Sequence, residues 1–357
     1  MIQLIKKFKN RKVIIKMSNN NFLIIDGSSL LSTSYYGNLP KEVMYAKTDE
    51  EREAAYKKIL QTSKGVYTNG IYGFFKTLNK IIDKQKPKYL AIVFDVSRQT
   101  TFRKRMYNDY KGTRKATPGP LSDQFKLTQD VLEYIGVPVL KSPEYEADDY
   151  AGSLAKKFES EVPCKFFTKD EDYLQLISEN SRVWLVTSKA DEMYNELGLV
   201  DYKSFNIPDG TFEYTMTTFE HFKGLEHPEY FIDAKALLGD KSDNIPGCPG
   251  IGEKSAIPLL QEYKTIENLY ETLEAELEAG REKELAKFFK ESLGISRSPI
   301  KNLVNGKESA FLSKELATIK TDIEEIQSMN LEDFIINIDK NKYNEIMNDL
   351  EMKSLIK

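Results

Sequence analysis

The chain has 357 residues, 40% hydrophobic and 30% charged, so it can bury the core of one or two globular domains beneath a heavily ionised surface. Its two cysteines, Cys164 and Cys248, stand far apart without CxxC or Cys/His spacing, which argues against a disulfide framework or zinc knuckle and for a reducing compartment. Apolar runs such as 22–25 and 89–94 fall far short of the roughly 20 residues of a membrane helix, and the formal charge of −4 argues against a uniformly basic surface.

Residues 1–16 carry Lys6, Lys7, Lys9, Arg11, Lys12 and Lys16 among scattered apolar residues. They have neither a continuous apolar region nor a small-residue cleavage site, so they do not read as a secretory signal. Met17 offers a second start, which leaves 1–16 as a mis-assigned leader or a loose basic arm. Then come short β-branched and aromatic runs that each lead to an acid: Phe22 to Ile25 before Asp26, Tyr89 to Phe94 before Asp95, and Lys165 to Thr168 before Asp170. These read as buried strands. Between the first two, Ile71, Phe74, Phe75, Leu78 and Ile82 recur at helical spacing. Alternating strand and helix predicts an α/β fold with a central, mostly parallel sheet. Ligands in such sheets collect at the carboxyl ends of the strands, where these three acids stand.

Residues 38–68 interrupt the alternation with a charged, helix-prone stretch expected to be a solvated surface helix. From Arg98 to Lys115 seven bases (Arg98, Arg103, Lys104, Arg105, Lys111, Arg114, Lys115) face one acid, Asp109, a local +6 within an acidic chain. With the turn-rich Pro118-Gly119-Pro120 that follows, residues 98–125 read as a basic arm or arch. The expected organisation is an α/β core over 17–238 that includes this arch, then a helical region over 239–357. No motif stands out in the insert at about 190–232 or after Lys264.

Glu144-Tyr145-Glu146-Ala147-Asp148-Asp149 opens a helix whose apolar line runs through Ala151, Leu154, Ala155 and Phe158 and places Asp148 on the core-facing side. One acid there is explained by favourable placement in a helix's first turn; three crowded together are not. Asp170 and Asp172 form a second pair and Asp240 and Asp243 a third, either of which could be a capping turn. Crowded carboxylates repel unless protonated or bridged by cations, and oxygen ligands favour magnesium or manganese over zinc. The only histidines, His221 and His227, lie outside these segments and read as surface residues, so metal-activated water is a better expectation than a histidine base.

At this point six blocks, in order over about 22–260, resemble the flap endonuclease and 5′-to-3′ exonuclease family, which includes the N-terminal nuclease domain of bacterial DNA polymerase I. They are Ile25-Asp26-Gly27; Phe94-Asp95; Phe102-Arg103 with Tyr110-Lys111-Gly112-Thr113-Arg114; Tyr145 to Asp149; Asp170-x-Asp172-x-Leu174-Gln175-Leu176; and Gly239 to Gly252 with both acids and Gly247, Gly250 and Ile251. The resemblance implies a PIN-like 5′ nuclease fold with a basic arch and a C-terminal helix-hairpin-helix, and two Mg2+ or Mn2+ ions. Asp26, Asp95, Glu146 and Asp148 would serve mainly the first ion; Asp149, Asp170, Asp172, Asp240 and Asp243 would serve the second, directly or through water. It further implies that Lys111 and Arg114 contact the scissile phosphate. Arg103 and Tyr110 would bind DNA, with Tyr110, and then Phe102 and Tyr107, stacking on unpaired bases, although each aromatic fits packing equally well. Gly250, Gly252, Lys254 and Ser255 would meet duplex phosphates at a helix start, where the family often holds a monovalent cation, potassium.

The implied function is a structure-specific 5′ nuclease, both 5′-to-3′ exonuclease and flap endonuclease, acting on DNA with a free 5′ end: flaps, nicks and RNA-primed duplexes. A monomer in the cytoplasm of a bacterium or phage-infected cell is expected, with a role in replication or repair and no membrane partner. Lys169 and Glu171 depart from the family's usual residues beside the second acid pair, and Pro258 is expected to shift or bend the helix after the hairpin. Two other readings compete. A PIN-type ribonuclease would share the carboxylates but lack the hairpin and long arm, and a non-catalytic junction binder would have no need of all the acids. A polymerase fragment is a third, for which the chain leaves no room.

Overall fold

A computed structural model describes residues 20–199 and 201–357; residues 1–16 and Met17, for which a leader or arm is expected, lie outside the described residues. Six strands form one sheet: β1 Phe22–Asp26, β2 Tyr89–Asp95, β3 Val139–Ser142, β4 Cys164–Thr168, β5 Ser181–Val186 and β6 Thr211–Tyr214. Their spatial order is β3-β2-β1-β4-β5-β6. β1 to β5 run parallel and only β6 is antiparallel, paired with β5. Apart from the aspartate that ends each, β1 and β2 read as unbroken apolar runs without alternation because both their faces are covered. Phe22 lies against Phe158 on one side, at 6.0 Å between ring centroids, and Phe94 lies against Phe74 on the other, at 6.3 Å.

Helices Gly27–Gly37, Asn69–Gln85 and Gly119–Tyr134 pack together and accompany the chain outward from β1 to β3. Helix Ala147–Phe158 carries it back to β4 and, by the right-handed rule for such crossovers, covers the opposite face. The strand order therefore reverses between β1 and β4, and the crevice that this leaves lies at their carboxyl ends. Helix Asn69–Gln85 buries the expected Ile71, Phe74, Phe75 and Leu78, with Ile81 rather than Ile82 completing the stripe.

The 38–68 stretch is more than a solvated helix. It forms helices Lys41–Met44 and Asp49–Ala55 and buries Val43, Ala55 and Ile59 in the core. The 190–232 insert supplies β6, and Glu213 there accepts from the indole N–H of Trp184 at 3.0 Å. Helix Tyr230–Leu238 packs against the long helix Ile300–Ala317. The C-terminal tail returns to the sheet, where Ile335 bridges to Tyr89 and Phe334 stacks on Phe22 at 5.1 Å. Pro258 sits within helix Glu253–Tyr263 without ending it. No described helix is long and apolar enough to cross a membrane.

Candidate metal centre and nucleic-acid interface

The acids at the strand ends first do local work. Asp26 caps helix Gly27–Gly37, accepting from Ser29 N at 2.8 Å. Gly27 is obligatory at that turn, since a Cβ would stand 2.5 Å from the Phe94 ring. Asp170 caps the one-and-a-half-turn helix Glu171–Leu176, and Glu146 is the N-cap of helix Ala147–Phe158. Asp95 Oδ1 accepts from Ala147 N at 3.0 Å, which ties the end of β2 to that same helix start.

The register of the parallel sheet brings these caps together. Ile25 lies level with Phe167, so Asp26 meets Thr168, whose hydroxyl donates to it at 2.8 Å. Burial first, and then the charge of Asp95, push the Asp26 carboxyl up to about 7. Burial also pushes Asp148 well above the usual carboxylate range, helped by Asp149, and Asp148 Oδ1 is buried with no hydrogen-bond partner among the described residues. Oxygens of Glu146, Asp148 and Asp149 lie within 4.8 Å of one another.

Proximity is not availability. Asp149 Oδ1 accepts from Arg103 Nη2 and Lys320 N, and Oδ2 from Arg103 Nη1 and Glu146 N, at 2.6 to 2.9 Å. Those four donors fill the carboxylate's lone-pair sites, so here Asp149 holds Arg103, and of the two roles expected for it, directly or through water, service through water is the one that leaves these bonds in place.

On the other side of the crevice, Lys235 from helix Tyr230–Leu238 pairs with both Asp172 and Asp240, its ammonium 2.9 Å from Asp240 Oδ2. Although burial opposes it, Lys235 with Ser242 holds Asp240 down to about 2. Asp170 is open at the cleft mouth yet hemmed in by protein, and removal from bulk water raises it to about 6 against the pull of Lys235. Asp240 and Asp243 sit on a tight hairpin closed by the Asp240–Ile245 bridge. Its close approach requires Gly239 and Gly247, where a Cβ would meet opposing backbone at 2.5 and 2.4 Å.

The basic segment folds down onto this cluster. Lys111 Nζ donates to Glu146 Oε1 at 2.5 Å and stands 3.6 Å from Asp243 Oδ2, while Arg114 pairs with Asp243 and donates to Ser242 O at 3.1 Å. Together Lys111 and Arg114 hold Asp243 below the usual carboxylate range, again against burial. Two expectations are corrected here. Arg103 is 1% exposed and all five of its N–H groups are used, on Asp149, Glu146, Leu316 O and Thr318 O, so it does not reach DNA. Tyr110 is 3% exposed and its hydroxyl donates to Glu146 at 2.8 Å, so its ring is not available to an unpaired base. Both were drawn into the arm by its composition, whereas charge complementarity with Glu146 and Asp149 buries them. The cleft of about 1380 Å³ that remains is lined by Asp26, Asp95, Asp170 and Asp240 and, facing them, by Lys104, Lys115 and Lys126.

Gly250, Gly252, Lys254 and Ser255 form a separate surface at the start of helix Glu253–Tyr263. Gly250 has φ +83° and a Cβ there would lie 2.5 Å from Asn302 Nδ2; Gly252, the N-cap, is extended with open space around it. Lys235 escaped the sequence reading, though a lysine in a Tyr230–Leu238 segment whose one other charge is Asp233 was its signal. His221 and His227 pair with Glu196 and Glu229 at the surface, as expected.

The carboxylates fit divalent cations: the donors are all hard oxygens, Asp148 Oδ1 lacks a partner, and ammonium groups bridge Asp172 to Asp240 and Glu146 to Asp243 as cations would. The comparisons agree. Residues 21–202 match the 5'-3' exonuclease, N-terminal resolvase-like domain, and residues 226–342 the 5'-3' exonuclease, C-terminal SAM fold. A 5'-3' exonuclease of Halalkalibacterium halodurans is 34% identical over 88% of each chain, and one of Aquifex aeolicus 33% identical over 94% of this chain and 93% of that one. DNA polymerase I of Streptococcus pneumoniae is 34% identical over 85% of this chain, which spans 29% of that enzyme's length. Among solved structures, the bacteriophage T5 5'-exonuclease with bound zinc shares the fold at TM-score 0.57 and 17% identity, over 94% of this chain and all of that one. Fold, site and sequence together place the chain in the 5'-3' exonuclease family, metal-dependent hydrolases of phosphodiester bonds.

Proposed function

We propose that this structure-specific 5′ nuclease removes 5′ flaps and RNA-primed or nicked 5′ ends from DNA, as a cytoplasmic monomer acting in replication or repair, with two Mg2+ ions. The observation that carries the reading is the meeting, in one cleft, of carboxylates from β1, β2, the turn after β4 and the Asp240 hairpin with Lys111 and Arg114. Asp26, Asp95, Glu146 and Asp148 would hold the first ion, and Asp170, Asp172, Asp240 and Asp243 the second. When bound, such ions supply a water nucleophile at neutral pH and charge to meet the phosphate.

The protein's own part is positioning. Lys111 and Arg114 lie over the acids, and with those carboxylates engaged by cations both side chains would be free to face the scissile phosphate and meet its developing negative charge. Lys235 would be displaced from Asp172 and Asp240 in the same way. The glycine turn at Gly250 and Gly252 lets backbone N–H groups, with Lys254 and Ser255, approach duplex phosphates without reading bases. A K+ ion at that turn would add to the contact. Arg98, Lys104, Lys115 and Lys126 would guide the single strand.

The test is digestion of end-labelled 5′-flap, nicked, blunt and RNA-primed duplexes with Mg2+ and with chelator. Chelator-sensitive release of 5′ fragments from the flap and RNA-primed substrates is expected. Cleavage that ignores the 5′ end, or persists in chelator, would overturn the reading.

A further inference from the structure

Helix Glu171–Leu176 is capped by Asp170 and carries Asp172, and the next residue, Tyr173, turns inward. It is 1% exposed, and its ring stands edge-on to Phe166 of β4 at 5.7 Å between centroids. Its hydroxyl is buried and has no hydrogen-bond partner among the described residues; Asp148 Oδ1 is in the same condition. Leaving a buried hydroxyl unpaired is costly, and phenylalanine would keep the packing on Phe166 without that cost. The hydroxyl therefore calls for an explanation that packing does not supply.

Its surroundings supply one. Phe166 and Thr168 alternate onto the same face of β4, and Thr168 donates to Asp26, so the phenol and Asp26 lie on one side of that strand. Tyr173 follows Asp172 directly on the short helix that Asp170 caps, and that helix packs against Ala147–Phe158, which carries Asp148. Carboxylates only accept hydrogen bonds, whereas a phenol both accepts and donates, which is what links a hydrated cation to a cluster of like charges.

We infer that Tyr173 is a positioning residue of the metal centre, its hydroxyl hydrogen-bonding within the hydration shell of the cation that Asp26, Asp95 and Asp148 would hold. The inference rests on the two-cation reading above. Magnesium and its substitutes keep several waters in such sites, and losing one outer-shell partner lowers metal affinity about 10- to 100-fold.

The experiment compares wild type, Tyr173→Phe and Asp148→Ala by calorimetric titration with Mn2+, and by thermal melts in chelator and in saturating Mn2+. Without metal, Tyr173→Phe should melt at or above the wild-type temperature, because it keeps the ring and loses an unpaired polar atom. Its Mn2+ affinity should nevertheless fall about 10- to 100-fold, with a smaller melting-temperature gain on adding Mn2+. Asp148→Ala marks the loss of a direct ligand for comparison. A Tyr173→Phe variant that melts lower without metal and binds Mn2+ like wild type would show that the hydroxyl only serves packing, and would overturn the inference alone. Wild type that bound no Mn2+ would overturn the metal reading with it.

Discussion

The backbone N–H of Lys111 donates to the carbonyl of Asp243 at 2.7 Å, while its ammonium stands 3.6 Å from the carboxylate of the same residue. Both Lys111, at φ 53°, and Asn244, at φ 56°, occupy the left-handed region that non-glycine residues avoid. Asn244 returns the contact by donating to Asp109 O at 2.7 Å. Such strain persists only where surrounding contacts over-determine it, and it clusters at functional sites. Here two turns, each far from the other in sequence, lock together over the acids.

That docking holds the Lys111 ammonium against Glu146 and Asp243, from where, in the reading proposed above, it would face the scissile phosphate. Lys111→Ala should lower the single-turnover rate on a 5′-flap substrate roughly 10²- to 10³-fold while weakening binding far less, because transition-state contacts show in the rate. Single-turnover cleavage and binding across a salt series measure both. If saturating enzyme at low salt restores the wild-type rate, Lys111 is an electrostatic guide only.

Asp148→Ala should abolish Mg2+-dependent cleavage and leave duplex binding close to wild type, since the proposed duplex contacts are made by other residues, at the Gly250 and Gly252 turn and the start of helix Glu253–Tyr263. Normal turnover at saturating Mg2+ would remove Asp148 from the metal set.

Arg103 gives the opposite pattern. Arg103→Ala leaves Asp149 buried without its cationic partner, which should destabilise the protein by about 3–5 kcal/mol, read as a lowered denaturant midpoint. The slope of DNA affinity against salt should not change, whereas losing a phosphate contact would reduce it by about one unit. A stable variant with a flattened salt dependence would restore Arg103 to the DNA-binding set.

The carboxyl of Asp26 titrates at about 7 in the folded chain against an ordinary 3.8. The folded state therefore binds more protons between these values, so the metal-free protein loses stability as pH rises from about 4 to about 7. A cation replaces the proton, so the gain in melting temperature on adding Mg2+ should be larger at pH 8 than at pH 5. Equal gains at both pH values would show that burial of Asp26 is not relieved by metal.

Gly250→Val meets two obstacles, a φ of +83° and Asn302 Nδ2 at 2.5 Å from the new Cβ. It should weaken binding to duplex-containing substrates with the Mg2+ dependence of cleavage unaltered. Unchanged affinity in a low-salt titration would make the turn a simple connector.

Three of the six strands, the acids that follow them and the glycine turn were legible in the sequence because they rest on local rules: unbroken apolar runs, helical spacing and capping chemistry; β3, β5 and β6 were not. Asp26, Asp95 and Asp170 could be assigned to one edge of a parallel sheet without coordinates. Composition could not say which charges of the basic segment face solvent, because burial is a property of the partner surface. Arg103 and Arg114 are alike in sequence, yet one spends every N–H on Asp149, Glu146 and two carbonyls beyond residue 315 while the other lies at the cleft mouth. Lys235, Tyr173 and the filled carboxylate of Asp149 were likewise decided by tertiary structure alone: each depends on which distant group arrives to occupy a lone pair, and sequence spacing carries no record of that.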